Sequence, residues 1–125
     1  MIVRCVQIIS PATRAVVGDH PALRIGAEYP VVEVLTTADR VLLRIPDPVD
    51  SPPGAFDSPG LWDASMFAVV SDRVPACWVA SLDEGALTLA PREWQRPGYW
   101  EDFFDQVPVA VAEYDRRKAQ ILQQC

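Results

Sequence analysis

Carboxylates are the most numerous chemistry-bearing side chains in this sequence, and several of them cluster. Glu101, Asp102 and Asp105 stand on either side of Phe103-Phe104, and Asp83-Glu84 lie a short way upstream. Two carboxylates can divide acid and base work when their surroundings push their pKa values apart. Adjacent residues in one short helical turn point in different directions, however, so Glu101 and Asp102 make a poor pair for a single substrate. An acidic rim, either around inward-packing aromatics or facing a partner, fits the pattern better than a hydrolytic centre. The one histidine, His20, lies between Asp19 and Pro21 in a polar stretch without a nucleophile motif, and reads as an exposed loop residue. Cys5, Cys77 and Cys125 are widely spaced and form no Cys-x-x-Cys, which argues against a zinc knuckle and against a disulfide framework. Cys5 and Cys77 fall in apolar runs where free Cys acts as a small core side chain, and Cys125 is a terminal thiol. No Gly-rich phosphate loop is present, and the only lysine is Lys118. No catalytic, metal or cofactor-binding residue is assigned, no cofactor is expected, and the chain reads as a non-enzyme.

The aromatic residues carry more information. Trp62, Trp78, Trp94 and Trp100 are many tryptophans for 125 residues. Trp78 sits in a strand-like run and is assigned to the core. Trp94, Tyr99 and Trp100 occupy the irregular stretch Pro91 to Trp100, where they either anchor the segment to a sheet or form a recognition surface. Trp and Tyr dominate interface hot spots. The candidate partner-binding set is therefore Asp83, Glu84, Trp94, Tyr99, Trp100, Glu101, Asp102 and Asp105. Overall charge agrees with that set. Seventeen acidic residues face eleven basic ones, for a net charge of -6. The excess is concentrated before the last ten residues, which are net positive. Such a field repels nucleic acid and anionic lipid and attracts a basic protein. No window approaches 18 apolar residues and no secretory leader is recognisable, so a cytoplasmic location is expected.

The elements that must position these residues follow from periodicity. Ile2 to Ile9 reads as a first strand with a bulge near Val6, ended by Ser10-Pro11, and Ala15 to Val17 as a short extended piece. Glu28 to Leu35 and Val41 to Ile45 read as a hairpin around a polar turn at Thr36 to Arg40, with Pro30 at a strand start or edge. Five prolines between residues 46 and 60 predict a surface loop. Strands resume at Met66 to Val70, Cys77 to Ala80 and Ala86 to Leu89, with Asp83-Glu84-Gly85 turning the last pair. From about 107 to 123 the period becomes helical: Val111, Tyr114, Lys118 and Ile121 share a face with Leu122 beside them, and Asp105 is a candidate cap. One domain over residues 1–125 is expected, mostly β with a C-terminal helix. The arrangement expected is a small curled antiparallel sheet, or an SH3-like partly open barrel closed by that helix.

Leu23-x-Ile25-Gly26-x-x-Tyr29-x-Val31, Phe67-x-Val69-Val70, Trp78, Pro91-x-x-Trp94 and Gly98-Tyr99-Trp100-Glu101-Asp102-Phe103-Phe104-Asp105 run through most of the chain. This pattern resembles small uncharacterised bacterial proteins, among them immunity partners of secreted polymorphic toxins. The resemblance implies intracellular neutralisation of a cognate toxin domain by tight binding, and it transfers no catalytic residues. Two other classes stay open at this point: a small hydrolase or ligand-binding enzyme using loop carboxylates, and an adaptor subunit for an endogenous protein.

Overall fold

A computed structural model describes residues 1–10, 12–47 and 56–124. Among the described residues ten strands run in the order β1 (Ile2–Cys5), β2 (Ile8–Ile9), β3 (Val16–Val17), β4 (Glu28–Pro30), β5 (Glu33–Thr36), β6 (Val41–Ile45), β7 (Gly60–Asp63), β8 (Phe67–Ser71), β9 (Trp78–Asp83) and β10 (Ala86–Pro91). Short 3-10 turns at Ala64–Met66 and Arg92–Gln95 precede β8 and follow β10, and two helices, α1 (Tyr99–Phe104) and α2 (Pro108–Gln124), complete the described chain. The strands form an antiparallel three-stranded sheet in the order β4-β1-β8, a five-stranded one in the order β7-β6-β5-β10-β9, and the pair β2-β3. The fold is mixed, with β-sheets and a C-terminal helical region. No ladder among the described residues joins the two larger sheets into a closed barrel.

Several boundaries differ from those expected, each for a local reason. The first strand divides, because the amides of Val6 and Gln7 both turn to the Met66 carbonyl at 2.8 and 3.3 Å. Ile8–Ile9 then pairs with Val16–Val17 instead of extending β1. The stretch from residue 28 to 35 breaks at Val31-Val32, so β4 pairs with β1 while β5 pairs with β6 and β10. Pro30 ends the edge strand β4, where its missing N–H leaves no ladder bond unmade. The Pro-rich loop of 46–60 is shorter than expected, since Gly60 opens β7, and residues 48–55 of it lie outside the described residues, as do Pro11 and Cys125. The hairpin at Asp83 forms as the sequence suggests. Glu84 and Gly85 have φ of 49° and 80°, the two left-handed residues of a type I′ turn between β9 and β10.

α2 matches the periodicity with one exception. Ala110, Tyr114 and Ile121 are buried along one stripe, whereas Leu122 is exposed and does not hold the helix down. Asp105 does not cap α2. It ends α1, its N–H bonding the Glu101 carbonyl, while the first α2 bond runs from the Val111 N–H to the Val107 carbonyl. Both larger sheets face one core in which Val3, Val31, Val32, Leu43, Ile45, Trp78 and Ala90 meet Trp94, Tyr99, Phe103, Tyr114 and Ile121 from the helical side. Burying each large apolar side chain contributes roughly 1.5–3 kcal/mol, so the aromatic layer is the main bond between sheet and helices. Among the described residues, no helix is long and apolar enough to cross a membrane.

Candidate functional site

The segment expected to recognise a partner divides between the interior and the surface. After β10 the 3-10 turn Arg92–Gln95 drops Trp94 into the core, and Gly98, at φ 78°, makes the left-handed step that starts α1. Trp94 is then stacked between Tyr114, at 5.2 Å between ring centres, and Tyr99, at 6.4 Å. Trp94 and Tyr99 are only 2% and 1% exposed. Side chains so enclosed have no surface to offer a partner, and their place in the expected binding set is corrected accordingly. The sequence lacked regular periodicity here because a 3-10 turn and a six-residue helix are too short to display one. Tyr99 also donates its hydroxyl to the Ala110 carbonyl at 2.8 Å, fastening α1 to the first turn of α2.

Trp100 is half-buried and sits at the seam between helices and sheet. Its ring meets Trp94 and Phe103 edge-on, and the Arg44 guanidinium carbon lies 3.8 Å from its centre. Arg44 is itself buried, bonded to Glu33 at 2.8 Å across the β5–β6 ladder and to the Pro59 carbonyl at 3.3 Å. This ion pair was not assigned any role from sequence. The legible signal was Glu33 and Arg44 on facing strands around the turn at Thr36 to Arg40, which the observed register pairs directly.

Of the carboxylates, Glu101 and Asp105 are exposed, and Asp102 is paired with Arg96 at 3.0 Å. Asp83 and Glu84 are exposed as well, but at the far tip of the β9–β10 hairpin. Six-residue strands separate that tip from the helical end by roughly 17 Å. The structure thus brings Trp94, Tyr99 and Trp100 together, sets Glu101, Asp102 and Asp105 on and beside α1, and leaves Asp83 and Glu84 apart.

Two further carboxylates hold the helical layer in place. Glu93 makes a two-point contact with Arg117, at 2.7 and 2.9 Å, with Arg116 3.5 Å away. The Arg117 bonds hold the Glu93 carboxyl down at about 2. Asp57 accepts from the Tyr114 hydroxyl at 2.6 Å and from Lys118 at 2.7 Å on one oxygen, and from the Asp47 N–H at 2.8 Å on the other. Asp47 in turn accepts from the Ser58 N–H, so Asp47 is tied to the Asp57-Ser58 pair in both directions. Burial and the Asp57 bond push the Tyr114 phenol far above its ordinary range, and burial does the same to Tyr99. An open groove of about 650 Å³ lies beside Asp57, lined by Phe56, Phe103, Gln106, Val111, Asp115 and Lys118.

His20 is not the isolated, exposed residue that its loop suggested. It is half-buried, its ring meets Trp62 edge-on at 4.9 Å, and its Nδ1 accepts the Ala22 N–H at 3.0 Å. That bond assigns the neutral ring's proton to Nε2. Among the described residues, no group of three or more His, Cys, Asp or Glu is placed to hold a metal ion. Compared with family models, curated proteins and solved structures, the chain matches none of them.

Proposed function

We propose that this chain is a protein-binding, immunity-like inhibitor that neutralises a basic toxin domain in the cytoplasm, and that it is not an enzyme. One observation carries the reading. Of the three cations of α2, Arg117 and Lys118 are engaged with Glu93 and Asp57, and the exposed Arg116 lies 3.5 Å from the same Glu93 oxygen that Arg117 holds. Glu101, Asp105, Glu113 and Asp115 have no ion-pair partner among the described residues. Four such carboxylates outnumber the one cation, Arg116, that shares its carboxylate with another, so the helical side is negative overall, a field that speeds encounter with a cationic protein and repels nucleic acid. In the same reading, the two sheets on one core form a partly open, SH3-like support that leaves the helical side to the partner.

The test is coexpression with a growth-arresting basic protein recovered as its bound partner by affinity pull-down. Growth should be rescued, and the purified pair should associate fast at low salt and several-fold more slowly after Glu101→Lys and Asp105→Lys. Added salt should shrink that difference, because it screens exposed charge. Association that ignores both salt and the charge reversal would sink the reading, as would failure to rescue growth.

A further inference from the structure

α1 turns into α2 within three residues, and the turn carries apolar side chains outward. Phe104, Val107 and Val109 are 43%, 37% and 61% exposed, while the rings just before them fill the core. The corner is also held stiffly. The Gln106 N–H bonds the Phe103 carbonyl and the Val107 N–H bonds the Asp102 carbonyl, both at 2.9 Å, around a left-handed Gln106 at φ 58°. Beneath it Phe103 is fully buried, and the Tyr99–Ala110 bond ties the two helices together. An apolar surface held in place before binding loses little conformational freedom on binding.

Resting on the binding-protein reading above, we propose that this corner is the docking site for a cationic protein segment that presents an apolar side chain among its Lys or Arg residues. Charge selects that occupant. Glu101 lies one helical turn before Phe104, Glu113 one turn after Val109, and Asp105 follows Phe104 directly. None of the three has an ion-pair partner among the described residues. A second copy of this chain would set like carboxylates against each other, and an anionic lipid surface would meet the same repulsion. A basic segment instead neutralises the rim while its apolar side chain covers Phe104, Val107 and Val109. The rim sets the encounter rate, and the apolar contact sets how long the complex lasts.

The experiment is a nitrogen-15 amide titration of the full chain with three synthetic amphipathic peptides of equal length, built from Lys and Leu, from Lys and Ser, and from Glu and Leu. The Lys/Leu peptide should give saturable shifts centred on residues 101–113. The Lys/Ser peptide should bind more weakly, and the Glu/Leu peptide should leave these amides unmoved. Val109→Ser, a change at the most exposed of the three, should weaken Lys/Leu binding about fivefold to tenfold without altering the fold. A joint Glu101→Gln, Asp105→Asn and Glu113→Gln variant should remove most of its salt dependence. Shifts centred elsewhere would overturn the proposal, as would an equal response to the Glu/Leu peptide or unchanged affinity in Val109→Ser. The two readings fail separately. A native complex that forms but ignores both variants refutes the corner alone, while absence of toxin neutralisation with the peptide results intact refutes the inhibitor reading alone.

Discussion

Replacing Arg44 by Met would leave the Glu33 carboxylate among apolar side chains without its cation. Both groups are buried, at 4% and 7% exposure, and their nitrogen and oxygen are 2.8 Å apart. Removing one member of such a pair typically costs about 3–5 kcal/mol, because the survivor keeps its desolvation penalty and loses its partner. Arg44→Met also gives up the face of Trp100 and the bond to the Pro59 carbonyl. Native stabilities are only about 5–15 kcal/mol, so the loss is a large share of the whole. For a chain of this length, about 3–5 °C of melting temperature goes with each kcal/mol, and Arg44→Met should melt at least about 10 °C below the parent. Glu33→Leu should behave similarly, since it strands the guanidinium instead. The double variant Glu33→Leu/Arg44→Met is the informative one. With both charges gone and apolar groups in their place, it should recover much of the loss and lie well above the sum of the single effects. Thermal and urea denaturation of the four proteins at pH 7 completes the cycle. A single variant that melts within 2 °C of the parent, or a double variant as unstable as the singles added together, would refute the reasoning.

Three further outcomes follow from named contacts. Glu93 titrates near 2 in the folded chain instead of 4.5, so its contribution is complete above pH 4.5 and is lost as pH falls towards 2. Screening at this partly exposed site limits the contribution to about 1–2 kcal/mol, and urea midpoints of Arg117→Met between pH 2 and 6 should be flatter than the parent's. Tyr99 and Tyr114 are held neutral by burial, so stability present below pH 10 should fall as pH rises above it, and Tyr99→Phe and Tyr114→Phe should each reduce that fall; an unchanged alkaline profile in both would refute it. Glu84 holds φ 49° before Gly85, a conformation Asn adopts more readily, so Glu84→Asn should stabilise by about 0.5 kcal/mol in urea denaturation.

Elements built on sustained local patterns were legible in the sequence. Alternation marked β10 and period 3.6 marked α2, while Glu84-Gly85 marked the hairpin between β9 and β10. What escaped was decided by contacts distant in sequence. Met66 captures the amides that end β1, and Lys118 and Tyr114 reach back to Asp57. No window of neighbouring residues carries that information. The candidate site shows the same division. Clustered carboxylates and aromatics around Trp100 marked a segment worth inspecting, yet composition does not say which side of a short helix is covered, and Trp94 and Tyr99 turn inward.

That inward turn also explains why the exposed apolar residues lie where they do. A six-residue α1 can bury Tyr99 and Phe103, four positions apart, only by presenting the opposite side of the turn to solvent. Phe104 and the carboxylates of Glu101 and Asp105 fall there. The buried aromatics and the exposed corner are thus two sides of the same short helix, and the core contacts that fix one also fix the other. On the docking proposal above, recognition and stability are therefore coupled in this segment. A substitution at Trp94 or Tyr99 would be expected to abolish binding by loosening the corner from below, with no contact to the partner of its own. Only changes at the outward positions, such as Val109, separate loss of recognition from loss of fold. On that proposal, a binding map built on substitutions of the buried tryptophan or tyrosine would assign the interface to side chains enclosed in the core.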